Sequence, residues 1–90
     1  MDLKDYRNEI DRIDRELLAG FRERMEIAEK IARYKKENGL PVLDEAREQE
    51  KISRIAREAG SELAPYAEQL FEKLMELSRR YQAEHMEETE

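Results

Sequence analysis

Asp2–Asn38 reads DLKDYRNEIDRIDRELLAGFRERMEIAEKIARYKKEN, a stretch with no proline and a single glycine, Gly20. Apolar residues recur at Leu3, Tyr6, Ile10, Ile13, Leu17, Phe21, Ile27, Ala28 and Ile31, in steps of three and four. That is the period of a helix buried on one face, and nowhere does the stretch alternate as a strand would. Asn38-Gly39 suits the left-handed turn that ends many helices, and Pro41 blocks continuation. At a rise of about 1.5 Å per residue such a helix would be about 55 Å long. A domain of this size cannot cover a rod of that length. Either the helix breaks near Gly20, or it packs along a second copy of itself.

Two further helices follow from the same reasoning. Asp44 is a good N-cap for one running to about Ala59, with Glu45 in its first turn and Ile52, Ile55, Ala56 and Ala59 as its apolar stripe. Gly60 closes it. Pro65 suits the first residue of a third helix, whose apolar positions are Ala67, Leu70, Phe71, Leu74, Leu77 and Tyr81. The fold class is therefore all-α, three helices per chain with a very long first one. Residues 1–84 form one domain. Residues 85–90 are expected to be a frayed acidic tail, with His85 exposed.

Composition narrows the function. Charged residues make up 44% of the chain, as in long amphipathic helices. A formal charge of −6 argues against nucleic acid as a partner, although a local cluster of cations could still hold a small anion. With no cysteine there is no disulfide framework or thiolate chemistry, and with one histidine a transition-metal site is not expected. No apolar run approaches membrane-spanning length. The default is a cytoplasmic protein without a membrane or nucleic-acid partner.

The informative anomaly is charge where a core should be. Stepping by four and three from Leu3 passes through Arg7, Ile10, Asp14, Leu17, Phe21, Arg24, Ala28, Ile31 and Lys35. Buried cations are costly unless paired or bound to anions. In the second helix Asp44 and Glu48 stand in line with Ile52 and Ile55, with Arg47 beside them. In the third, Ser78 and Gln82 continue the line of Phe71 and Leu74 or Met75. Each residue taken alone is more simply a solvated or salt-bridged surface group. Together they describe a helical oligomer with an interior anion site, and spacing goes no further.

Four motifs carry a resemblance. Arg7–Asp14 (RNEIDRID), Arg22–Met25 with Ala28–Lys35, Asn38–Asp44 with Arg47-Glu48, and Leu70–Gln82 resemble, in order and at the right spacing, the AroQ class of chorismate mutases, the small all-helical type. Each motif is weak alone; the ordered set covers about residues 4–82. The resemblance implies an isomerase that converts chorismate to prephenate by a concerted [3,3] rearrangement in aromatic amino-acid (Phe/Tyr) biosynthesis, with no cofactor and no metal. By position Arg7, Arg24 and Arg47 would bind the substrate's two carboxylates, helped by Ser78. Lys35 and Gln82 would donate to the ether oxygen. Asp44 and Glu48 would lie near the ring hydroxyl, Glu48 as its direct acceptor.

On those roles geometry requires two chains. Arg7 and Arg24 are about 25 Å apart along one helix, too far to grip one small ligand, whereas Arg24 and Lys35, about 16 Å apart, can converge from opposite ends. Arg7 should then serve the other subunit's site, in an intertwined homodimer. Two rivals stand beside this reading: an isochorismate-pyruvate lyase of the same fold, and a non-catalytic helical dimer.

Overall fold

A computed structural model describes residues 1–88, and these form three helices: α1 (Leu3–Glu37), α2 (Glu45–Ala59) and α3 (Ala64–Glu88). Helix α1 is continuous through Gly20, so the first of the two sequence options, a break there, is excluded. It opens on a reciprocal capping box. The Asp2 carboxylate accepts from the Asp5 N–H at 3.0 Å, and the Asp5 carboxylate accepts from the Asp2 N–H at 3.1 Å. These bonds satisfy donors a helix start otherwise leaves unpaired. Asn38 ends the helix and Gly39 follows at φ +64, a conformation that costs glycine nothing.

Helix α2 starts where Asp44 caps it, its Oδ1 accepting from the Arg47 N–H at 3.1 Å. Helix α3 begins one residue before Pro65. Residues 61–63 form a turn that winds into it, the Ala64 N–H donating to Gly60 O at 2.8 Å. Its far end departs from the sequence reading. The helix runs on to Glu88, and His85 is partly buried against Tyr81, rings 4.0 Å apart and His85 Nδ1 2.9 Å from Tyr81 O. The expected frayed tail is thus helical over 85–88; residues 89–90 lie outside the described residues.

Helix α3 is the platform. Both α1 and α2 pack on it, while no Cα of α1 comes within 8 Å of any in α2. The core between α1 and α3 is thin: Ala28, Ala32 and Met75 are its buried apolar residues, joined by the polar Ser78 and Gln82. The two alanines let the helix axes come close. Beyond this contact α1 projects uncovered, with residues 1–20 exposed throughout, Leu3, Tyr6, Ile10, Ile13 and Leu17 among them. The backbone forms a slab of 54 × 27 × 14 Å.

Candidate functional site

The gap between α1 and α2, floored by α3, is a cavity of about 660 Å³. Helical spacing explains which side chains reach it. Arg24, Ala28, Ile31 and Lys35 rise at three- and four-residue steps along one face of α1; Asp44, Arg47, Glu48 and Lys51 do the same on α2; Phe71, Met75, Ser78, Arg79 and Gln82 form the floor. Every site residue expected from the sequence lines this cavity except Arg7. Arg7 lies exposed on the uncovered part of α1, outside the cavity.

The charge balance is local and opposite to that of the chain. Arg24, Lys35, Arg47, Lys51 and Arg79 face Glu23, Asp44 and Glu48, so the lining carries a formal excess of two positive charges in a chain of formal charge −6. Such a pocket attracts a dianion in spite of the repulsive net charge.

A hydrogen-bonded chain crosses the closed end. Lys35 Nζ donates to the carbonyl of Val42 at 2.7 Å and to Gln82 Oε1 at 3.2 Å. Gln82 Nε2 donates in turn to Ser78 Oγ at 2.9 Å. Gln82 and Ser78 are 6% and 9% exposed, so these bonds are made away from bulk water, where an unmade one is costly. The arrangement fixes the amide: Oε1 must face the ammonium and Nε2 the hydroxyl. Counting hydrogens, Lys35 keeps one N–H, Gln82 one N–H and Ser78 its O–H for a ligand. Three donors are therefore held at one place before any ligand arrives. The bond to Val42 also folds the 38–44 connection back over α1, closing that end of the cavity.

On α2, Glu48 is partly buried and forms an ion pair with Arg79 of α3, Arg79 Nη1 donating to Glu48 Oε1. Asp44 uses one carboxylate oxygen as the helix cap, and Arg47 and Asp44 are otherwise exposed at the cavity rim. Among the described residues no group of three or more His, Asp or Glu is placed to hold a metal ion, and no helix is long and apolar enough to cross a membrane.

Sequence reasoning missed three charged lining residues: Glu23, Lys51 and Arg79. Lys51 was within reach, since it extends the line of Asp44, Arg47 and Glu48 by one more turn. Arg79 was not. Its place depends on which side of α3 meets α2, and the periodicity of one helix does not say.

Residues 6–83 match the family model described as chorismate mutase type II. The chain is 37% identical to the T-protein of Haemophilus influenzae over 82 residues, covering 91% of this chain and 20% of that protein. It is 41% identical to the bifunctional chorismate mutase/prephenate dehydratase of Aquifex aeolicus over 56 residues, 62% of this chain and 16% of that one. The chain thus spans about a fifth or less of the length of these curated relatives. No solved structure gives a significant match.

Proposed function

The chain belongs to the type II chorismate mutase family, and on that premise we propose that it converts chorismate to prephenate as an intertwined homodimer of the cytoplasm. In this rearrangement the C–O bond of the enolpyruvyl ether breaks as a C–C bond forms, without a cofactor or covalent intermediate. The Aquifex relative joins a chorismate mutase to a prephenate dehydratase in one protein. A product that feeds aromatic amino-acid synthesis fits that pairing.

The observation that carries the reading is the Lys35–Gln82–Ser78 chain in a cavity with two excess positive charges. Chorismate is a dianion, and Arg24 and Arg47, with the Ser78 hydroxyl, offer its carboxylates charged and neutral donors; the guanidinium fork suits that geometry. Held at both ends, the substrate adopts the folded shape the reaction needs, which removes an entropic part of the barrier. As the ether bond lengthens, negative charge grows on its oxygen. The remaining hydrogens of Lys35 and Gln82 would meet it there and so bind the transition state better than the ground state. Glu48, with its second oxygen unengaged among the described residues, would accept from the ring hydroxyl, with Asp44 beside it. No step needs a proton shuttle.

Arg7 completes the reading. It stands on a stripe of exposed apolar residues that an antiparallel α1 of a second copy would cover, and from there it would reach that copy's cavity, adding a cation over the carboxylates. Sedimentation showing a fully active monomer would remove this part.

Chorismate and isochorismate are to be incubated separately with the purified protein. Ultraviolet absorbance should fall with chorismate, with prephenate as the product, and Lys35→Ala should slow it by a factor of roughly a hundred or more. Pyruvate release from isochorismate alone would mean the lyase instead, and inertness toward both a non-catalytic dimer.

A further inference from the structure

Helix α2 carries one wall of the cavity, and of the other two helices only α3 brings its backbone close to it, no Cα of α1 lying within 8 Å of one in α2. The hydrogen-bond partner of the Glu48 side chain comes from α3. What α3 offers is Arg79, whose guanidinium binds Glu48 Oε1 on the side of α3 next to the Ser78–Gln82 face. Both side chains are partly screened from water, with 34% and 24% of their surfaces exposed. An ion pair so exposed contributes little to stability, because solvent weakens the attraction and two flexible chains must be ordered. Its consequence is geometric. A carboxylate on a glutamate stem has several rotamers of similar energy, and a guanidinium donor to one oxygen selects among them.

We propose that Arg79 is a positioning residue. It holds Glu48 Oε1 so that Oε2 is aimed into the cavity as the acceptor of the substrate's ring hydroxyl, and it sets the distance between the α2 wall and the donors on α3. This rests on the mutase reading above. Arg79 itself needs no contact with the substrate. Lacking Arg79, the carboxylate would swing toward solvent or toward Lys51, one turn along the same helix and lining the same cavity. The hydroxyl would then meet an unaligned acceptor. A hydroxyl contact is present in the ground state and in the transition state alike, so its loss is a loss of uniform binding and falls on KM rather than kcat.

The test is steady-state kinetics with chorismate on the wild-type protein, Arg79→Met and Arg79→Lys, each checked for helicity. Arg79→Met should raise KM about tenfold with kcat within about threefold of wild type, and Arg79→Lys should recover most of the loss. With a chorismate analogue in which hydrogen replaces the ring hydroxyl, the gap between wild type and Arg79→Met in inhibition or Michaelis constant should shrink to about twofold or less, the factor left by removing one cation from the cavity lining. A purely structural Arg79 would behave differently: Met would lower the active fraction, reducing apparent kcat at unchanged KM, and the deficit would persist with the analogue. Either of those results, or an unaltered KM in Arg79→Met, overturns the proposal while leaving the mutase reading standing. A wild-type protein inactive on chorismate removes both.

Discussion

Gln82 donates at any pH because an amide does not titrate. A glutamate in its place would meet the Lys35 ammonium where Oε1 now lies, 3.2 Å away. Ionised, it would accept from Lys35, offer the ether oxygen no hydrogen and repel the substrate's carboxylates; only the protonated acid donates. For Gln82→Glu we expect kcat/KM to drop by roughly a hundredfold or more near neutral pH. The ratio of variant to wild type should climb as pH falls toward the ordinary carboxyl range near ~4.3. Rate measurements from pH 4.5 to 8 decide it, and a ratio independent of pH would mean that Gln82 does not face the ether oxygen. The residues of this chain of donors were legible because each interrupts an apolar line: Lys35 after Ile31, Ser78 and Gln82 after Met75. Their mutual bonds were not, since Lys35 and Gln82 lie 47 positions apart and nothing in either helix encodes the other. Arg79 is the sharper case. On its own helix it reads as one more surface arginine beside Arg80, and only the packing of α2 gives it a partner.

The elements themselves follow from signals that are local and mutually consistent. Asp44 before α2 and the glycines at 39 and 60 sit at helix boundaries in both the sequence and the structure, while the Asp2–Asp5 capping box is found only in the structure. The end of α3 escaped because fraying was inferred from a missing apolar stripe. Contact between Tyr81 and His85 supplies order that a stripe count overlooks. Gly20 leaves α1 unbroken, although glycine costs about 1 kcal/mol against alanine inside a helix. What the pattern of α1 could not rank was closeness of packing. Ala28 and Ala32, 3% and 1% exposed, set how near α1 lies to α3 and so how the Lys35 ammonium meets Gln82. Ala32→Leu should force the two helices apart and lower stability by about 1–3 kcal/mol. Urea unfolding followed by circular dichroism measures it. An unchanged midpoint would mean the α1–α3 contact has slack that its small residues do not suggest.

At the scale of the molecule, the lone chain is under-buried. It exposes 7232 Å², where a compact protein of 10.8 kDa exposes roughly 5,500 Å². Its radius of gyration is 16.3 Å, against roughly 12 Å for a compact domain of this length. Leu3, Tyr6, Ile10, Ile13, Leu17 and Leu18, all exposed on the first half of α1, are surface that a second copy of the chain would cover. Arg7 makes this a statement about catalysis. If it acts in the other copy's cavity, a chain carrying Arg7→Ala still has a complete Lys35, and a chain carrying Lys35→Ala still has an Arg7 to lend. Each variant alone should be nearly inactive. Unfolded together and refolded, they should form mixed dimers in which the cavity with the intact lysine receives the intact arginine, while the other has lost both. With random pairing about a quarter of the wild-type activity should return. If Arg7 served its own chain, every cavity in the mixture would lack one group or the other, and no activity would return. Because the mixture adds no residue absent from the separate variants, recovery can come only from a site built by both chains.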